Sequence, residues 1–116
     1  MKQEGCVFCS IVSGEISSER LYQDDLVTAF RDIHPLAPTH VLIVTNKHLD
    51  SVNGAQESVE PDLGRLFTVA KRLAQQEGIA ESGYRLIVNN GSDGGQVVPH
   101  LHMHLLGGHK MKHPIG

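Results

Sequence analysis

Three histidines alternate with apolar residues at His100, His102 and His104, directly behind the glycine-rich stretch Asn90-Gly91-Ser92-Asp93-Gly94-Gly95-Gln96. On a β-strand, side chains repeat every second residue. The spacing therefore predicts all three imidazoles on one face, roughly 7 Å apart, with Leu101, Met103 and Leu105 on the other. A hydrophobic core has no use for such a row, but two chemistries do. Zinc and copper take imidazole nitrogen readily, so the row could ligate a metal. A neutral imidazole can also act as a nucleophile beside a bound anion. Gly91, Gly94 and Gly95 let backbone amides converge on one point, as in phosphate-binding nests, and Ser92 and Asn89 add side-chain donors. A metal site needs no such cradle, so the loop favours nucleophilic chemistry. The bland alternative is a tight glycine turn between two strands with histidines along its surface.

A second constellation stands near the start of the chain. Cys6 and Cys9 form a Cys-x-x-Cys, the spacing of half a zinc site. The pair also fits two buried free thiols. The strand–helix–strand setting of a redox dithiol is not evident around it, and a reducing cytosol argues against a disulfide.

The elements that position these residues are read from periodicity and turn chemistry. Residues 5–13 predict a short helical turn carrying Val7, Phe8, Ile11 and Val12. Residues 20–23 and 26–30, around Asp24-Asp25, predict a β-hairpin. Pro35 and Pro38 punctuate a loop, and the apolar run 41–44 predicts a central strand covered on both faces. Over residues 61–77, Leu63, Leu66, Phe67, Ala70, Leu73 and Ala74 recur at three and four, the spacing of one buried helical face. Pro61 suits the first turn of that helix and Gly78 its end. Strands over 84–89 and 101–106 complete an α+β fold with a five-stranded, mainly antiparallel sheet, one long helix and a short N-terminal helix.

Composition sets outer bounds. The 116 residues suffice for one domain spanning 1–116 with its own core. With 10 basic and 13 acidic residues and a net charge of −3, the chain lacks the basic face a nucleic-acid binder needs. No run approaches the roughly 18 apolar residues of a membrane span. Met1-Lys2-Gln3-Glu4 has no long apolar stretch behind it, so no secretory signal is expected and a cytoplasmic location is.

His100-Leu101-His102-Met103-His104-Leu105-Leu106 resembles the His-φ-His-φ-His-φ-φ signature of the histidine triad (HIT) superfamily. Residues 30–40 (FRDIHPLAPTH) resemble that family's N-terminal nucleotide-binding segment, and Asn89-Asn90-Gly91-Ser92-Asp93-Gly94-Gly95-Gln96 its phosphate loop. Gly107-Gly108 and the closing Pro114-Ile115-Gly116 are similar to the nucleotide-binding branch in particular. The resemblance implies a single HIT domain that cleaves nucleoside 5′-phosphoramidates or adenylates to a purine nucleoside monophosphate, AMP or GMP. His102 would attack the α-phosphorus and form a covalent nucleotidyl-histidine that water hydrolyses. A backbone carbonyl near His100 would fix its tautomer. His104 would meet the phosphate or leaving group, and His40 would complete the imidazole network.

The same resemblance assigns Asp32 to the ribose hydroxyls, which an acceptor-only carboxylate suits. Val7, Phe8, Ile11, Phe30 and Ile33 would line the base slot, and Asn89, Gly95 and Gln96 would serve the phosphate. Each has a plain reading as well: Phe30 and Ile33 as core, Asp32 as a turn former. Several bacterial members of the family bind a structural zinc with such a cysteine pair and two histidines, which implies Cys6, Cys9, His48 and His100 as ligands and no catalytic metal. A homodimer is also implied. His34, His109 and His113 read as ordinary loop or tail residues. The chain departs from the family where Val97 replaces the usual Ser or Thr, and where it lacks the C-terminal tryptophan of close eukaryotic members, with His113 at about that position. Alternative activities are dinucleoside polyphosphate hydrolysis, nucleotide-dependent interaction with little catalysis, and a metal centre built on the whole triad.

Overall fold

Alternation of side chains across one sheet separates the candidate site from the main core. The computed structural model describes residues 3–115; Met1, Lys2 and Gly116, the last residue of the closing tripeptide, lie outside the described residues. In chain order the elements are helix α1 (Val7–Ser13), strands β1 (Arg20–Gln23), β2 (Val27–Arg31) and β3 (Thr39–Thr45), helix α2 (Glu60–Gln76), and strands β4 (Tyr84–Ile87) and β5 (His102–Gly107). Short 3-10 turns at Val52–Gly54 and Glu57–Val59 lead into α2. The strands form one antiparallel sheet in the order β1-β2-β3-β5-β4. This is the α+β architecture anticipated from the sequence.

Period-two alternation decides what each face carries. On one face Val27, Ala29, Val41, Ile43, Met103 and Leu105 pack against Leu66, Val69, Ala70, Leu73 and Ala74 of α2. On the other, Phe30, Leu42 and Val44 pack against Cys6, Phe8, Cys9 and Ile11 of the N-terminal segment. Register aligns Phe30 with Leu42 and Leu42 with His104, then Thr28 with Val44 and Val44 with His102. The two histidines of β5 therefore stand on the α1 face. All of β3 is buried, extending the predicted central strand by two residues before Val41 and one after Val44.

Pro61 lies in the first turn of α2, and Gly78 ends it with φ of 75°. The Ile79 N–H returns to Ala74 C=O and the Gly78 N–H to Gln75 C=O, the paired bonds of a Schellman end. The buried stripe is Leu66, Val69, Ala70, Leu73 and Ala74; Phe67, predicted on it, is 57% exposed. Phe67 sits at the edge of the apolar arc, where periodicity alone does not distinguish core from surface. Strand β4 stops at Ile87 rather than residue 89, and β5 starts at His102 rather than residue 101. No helix among the described residues is long and apolar enough to cross a membrane.

Candidate active site

The late start of β5 corrects the simplest reading of the histidine row. Pro99 has no N–H to give a ladder, the His100 N–H turns back to Val98 C=O at 2.8 Å, and the Leu101 N–H goes to Leu49 C=O at 2.7 Å. His100 therefore precedes the strand, and its ring does not join the other two. His102 and His104 are neighbours, with ring centroids 5.1 Å apart.

Hydrogen bonds assign each ring a different proton arrangement. The His102 Nδ1–H donates to His100 C=O at 2.6 Å, because a carbonyl can only accept. Neutral His102 consequently carries its lone pair on Nε2. The Leu36 N–H donates to His40 Nδ1 at 3.0 Å, which places the His40 proton on Nε2. That proton points to His104 Nδ1 at 2.9 Å, so neutral His104 keeps its own proton on Nε2. One imidazole thus offers a lone pair and its neighbour an N–H. Burial holds His104 neutral, with its pKa lowered to about 4 further by the facing imidazoles of His102 and His40, while the nearby Asp32 charge opposes. Burial likewise lowers His40, again opposed by Asp32.

These groups open on a cleft of about 620 Å³. Its walls include Val7, Phe8, Ile11, Phe30, Asp32, Ile33, Asn89 and Gly95 together with His102 and His104, which gathers most of the predicted site in one place. Phe8 meets Phe30 edge-on at 5.5 Å and His102 at 5.1 Å, making a rigid apolar slot beside the reactive ring. Asp32 serves both readings. One oxygen accepts the His34 N–H at 2.8 Å in a local turn, and the other lies 3.4 Å from His40 Nε2 at the cleft wall. His40 is buried behind the wall and His100 further back. Sequence reasoning missed Ile16, Ser17, Ser18, Leu36, Leu42 and Val98 as lining residues, and His34, read as an ordinary loop residue, also borders the cleft. Leu42 was legible, since it alternates with His40 and Val44 on the same strand; the 16–18 segment carried no signal.

Two predicted phosphate contacts are not as expected. The Gly95 N–H is already given to Ser92 C=O at 3.0 Å. The Gln96 side chain turns away from the cleft into its own loop, where it accepts the Gly91 N–H at 2.9 Å and donates to Asp50 and Val98 carbonyls at 2.7 and 3.0 Å. The loop's tightness is real: a Cβ on Gly94 would lie 2.5 Å from the Asn90 carbonyl oxygen.

The second constellation also assembles. The ligand atoms of Cys6, Cys9, His48 and His100 all lie within 4.8 Å of one another. His100 Nδ1 is 3.2 Å from Cys6 Sγ and 3.6 Å from Cys9 Sγ, and His48 Nδ1 is 3.3 Å from Cys9 Sγ. Bond lengths of about 2.3 Å to sulfur and 2.0 Å to nitrogen give S–N edges of roughly 3.5 Å in a tetrahedral zinc site, so the spacing fits. The tautomers fit too. His100 Nε2–H donates to Thr45 C=O at 2.7 Å and His48 Nε2–H to the Asp50 carboxylate at 2.7 Å, leaving both Nδ1 lone pairs for a metal. Burial raises the Cys6 thiol pKa, with the Cys9 N–H opposing.

Comparison with known proteins places this geometry among relatives. The HIT domain profile matches residues 13–111. The chain is 57% identical over 105 residues to the purine nucleoside phosphoramidase of Escherichia coli K12, covering 90% of this chain and 88% of that one. It is 47% identical over 113 residues to a 14 kDa zinc-binding protein of Zea mays, covering 95% and 87%. Among solved structures, a HIT family hydrolase from Legionella pneumophila superposes with a TM-score of 0.93 at 46% identity, covering 97% of this chain and 100% of that one.

Proposed function

The chain belongs to the HIT domain family, and on that premise we propose that it is a hydrolase cleaving purine nucleoside 5′-phosphoramidates or adenylates through a nucleotidyl-His102 intermediate. The observation that carries this reading is the complementary pair of tautomers on β5: a lone pair on His102 Nε2 beside an N–H on His104 Nε2. The base enters the slot of Phe8, Ile11, Phe30 and Leu42, and the ribose hydroxyls donate to the Asp32 carboxylate at the cleft wall. His102 Nε2 attacks the α-phosphorus, the N–P bond forms, and the bond to the leaving nitrogen or oxygen breaks. The departing group takes up a proton from solvent, and the His104 Nε2–H hydrogen-bonds to it or to a phosphoryl oxygen without giving up its own proton. The Nδ1 proton of His102 stays on the ring, donated to the His100 carbonyl, and this hydrogen bond stabilises the charge the ring acquires on bonding phosphorus. Water then attacks the same phosphorus: a P–O bond forms, the N–P bond to His102 breaks and returns the lone pair to Nε2, and the water proton passes to solvent as AMP or GMP leaves.

Zinc is the metal whose preferences match Cys6, Cys9, His48 and His100, two thiolates and two imidazoles with their second nitrogens already held. When bound it supplies a three-way crosslink between the N-terminal segment, the turn after β3 and the residue ahead of β5. Homodimerisation is supported by the exposed Phe67 on α2 and by the unpaired edge of β4. The deciding experiment is rapid acid-free quench of a purine phosphoramidate reaction followed by peptide mass spectrometry. A nucleotidyl adduct on His102, absent in His102→Ala, is expected. Full turnover by His102→Ala would sink the proposal.

A further inference from the structure

The glycine loop has no core of its own. Every residue from 91 to 95 is exposed, so its shape rests on hydrogen bonds rather than on packing. Gln96 makes most of the bonds that close it. Its backbone N–H donates to Gly91 C=O at 3.0 Å, while its side-chain Oε1 accepts the Gly91 N–H at 2.9 Å. A single residue thus satisfies both polar groups of Gly91 and closes the ring 91–96. The Nε2 group then donates to Asp50 C=O at 2.7 Å and to Val98 C=O at 3.0 Å, tying that ring to a separate segment. A second tie runs alongside, from the Asn53 N–H to Asn90 Oδ1 at 3.0 Å. Asp50 is shared, since its carboxylate holds His48 at 2.7 Å while its carbonyl holds Gln96.

We infer that Gln96 is a positioning residue: it holds the glycine loop in the shape that receives the phosphate and joins that loop, through Asp50, to the Cys6–Cys9–His48–His100 cluster. The phosphate rests on the function proposed above, whereas the latch rests on the bonds just described. Only an amide side chain performs this task. It carries an acceptor and two donors in one plane, matching one N–H and two carbonyls. Glutamate keeps the acceptor but presents charge to two carbonyl oxygens, and methionine keeps the length but offers neither function.

Gln96→Met and Gln96→Glu separate this role from simple structural support. Amide hydrogen exchange on the apo protein should accelerate at least about tenfold at Gly91 and Gln96, with the amides of α2 unchanged. Calorimetry should show AMP binding weakened about tenfold while adenosine, which has no phosphate, binds as before. Unchanged exchange in the loop, or equal weakening of AMP and adenosine, would overturn the inference. A wild-type protein that binds neither ligand would refute the nucleotide reading, and with it the phosphate-receiving part of the inference; loop exchange would still decide the latch.

Discussion

Acidification tests the electrostatics of the site most directly. His104 is held at about 4 by burial first, then by His102 and His40 facing it, against an opposing pull from Asp32. An unfolded imidazole titrates near 6.5. The folded value is depressed, so the unfolded chain binds the proton first and stability falls as pH drops from about 6.5 to about 4. The full contribution is present above 6.5. At pH 5 the unfolded site is almost wholly protonated and the folded site is not, a difference of about 2 kcal/mol from His104 alone, growing to about 3 at pH 4. Solvent reaches part of the ring, so these are upper values. His40, also depressed by burial, adds with the same sign. Burial also lowers His100 to about 4, against the opposing hydrogen bond to Thr45, so the wild type alone does not isolate the effect. The comparison with His104→Gln does, because both proteins keep His100. Urea unfolding at pH 7.5 and pH 5.0 should show the variant losing about 1–2 kcal/mol less than the wild type between the two conditions. Equal losses would mean that His104 titrates normally in the fold, and the neutral donor assigned to it would have to be abandoned.

The other expectations concern the loop, the cleft and the cluster. Cys9→Ser should lower bound zinc from about one equivalent to a small fraction by elemental analysis, and lower the melting temperature by several degrees; wild-type protein purified without zinc would contradict the assigned ligand set. Val97 lines the cleft without a hydrogen-bonding group, so Val97→Ser should raise kcat, by about tenfold at most, with little change in KM. A rise in KM alone would place residue 97 outside the reacting region. Gly94→Ala puts a methyl 2.5 Å from the Asn90 carbonyl oxygen, forcing the loop open. Its AMP affinity should fall at least about tenfold while urea stability changes by no more than about 1 kcal/mol, since the loop is exposed.

Much of the scaffold was legible because alternation and helical period are strong signals in this chain. The apolar run Val41 to Val44 is a strand buried on both faces because α1 covers one face of the sheet and α2 the other. What escaped was decided by partners distant in sequence. Phe67 satisfies the helical period as well as Leu66 does, yet only Leu66 meets the sheet. Gln96 sits among residues that resemble a phosphate loop, and nothing local says that its amide finds Asp50 across the chain. Pro99 was a readable warning that the strand could not include residue 99. Its consequence, that the His100 ring meets Cys6 and Cys9 rather than His104, depended on where the carbonyls of Val98 and Leu49 happen to lie.

That turn at Pro99 explains how three similar histidines acquire different tasks. Had the strand begun two residues earlier, at His100, as the alternating spacing suggests, the rings would share one face with no group to tell them apart. Instead the backbone of His100 stays beside β5 while its side chain leaves it. The carbonyl fixes the tautomer of His102, and the ring, anchored on Thr45 C=O, points its free nitrogen at Cys6 and Cys9. His104 takes its tautomer from the other direction, through His40 and the Leu36 amide. Phe8 touches the rings of both His100 and His102, at 5.9 and 5.1 Å, so the helix that carries Cys9 also packs against the proposed nucleophile. The metal-type cluster and the cleft are thus parts of one construction, in which the same residue orients the attacking ring with its backbone and closes the cluster with its side chain.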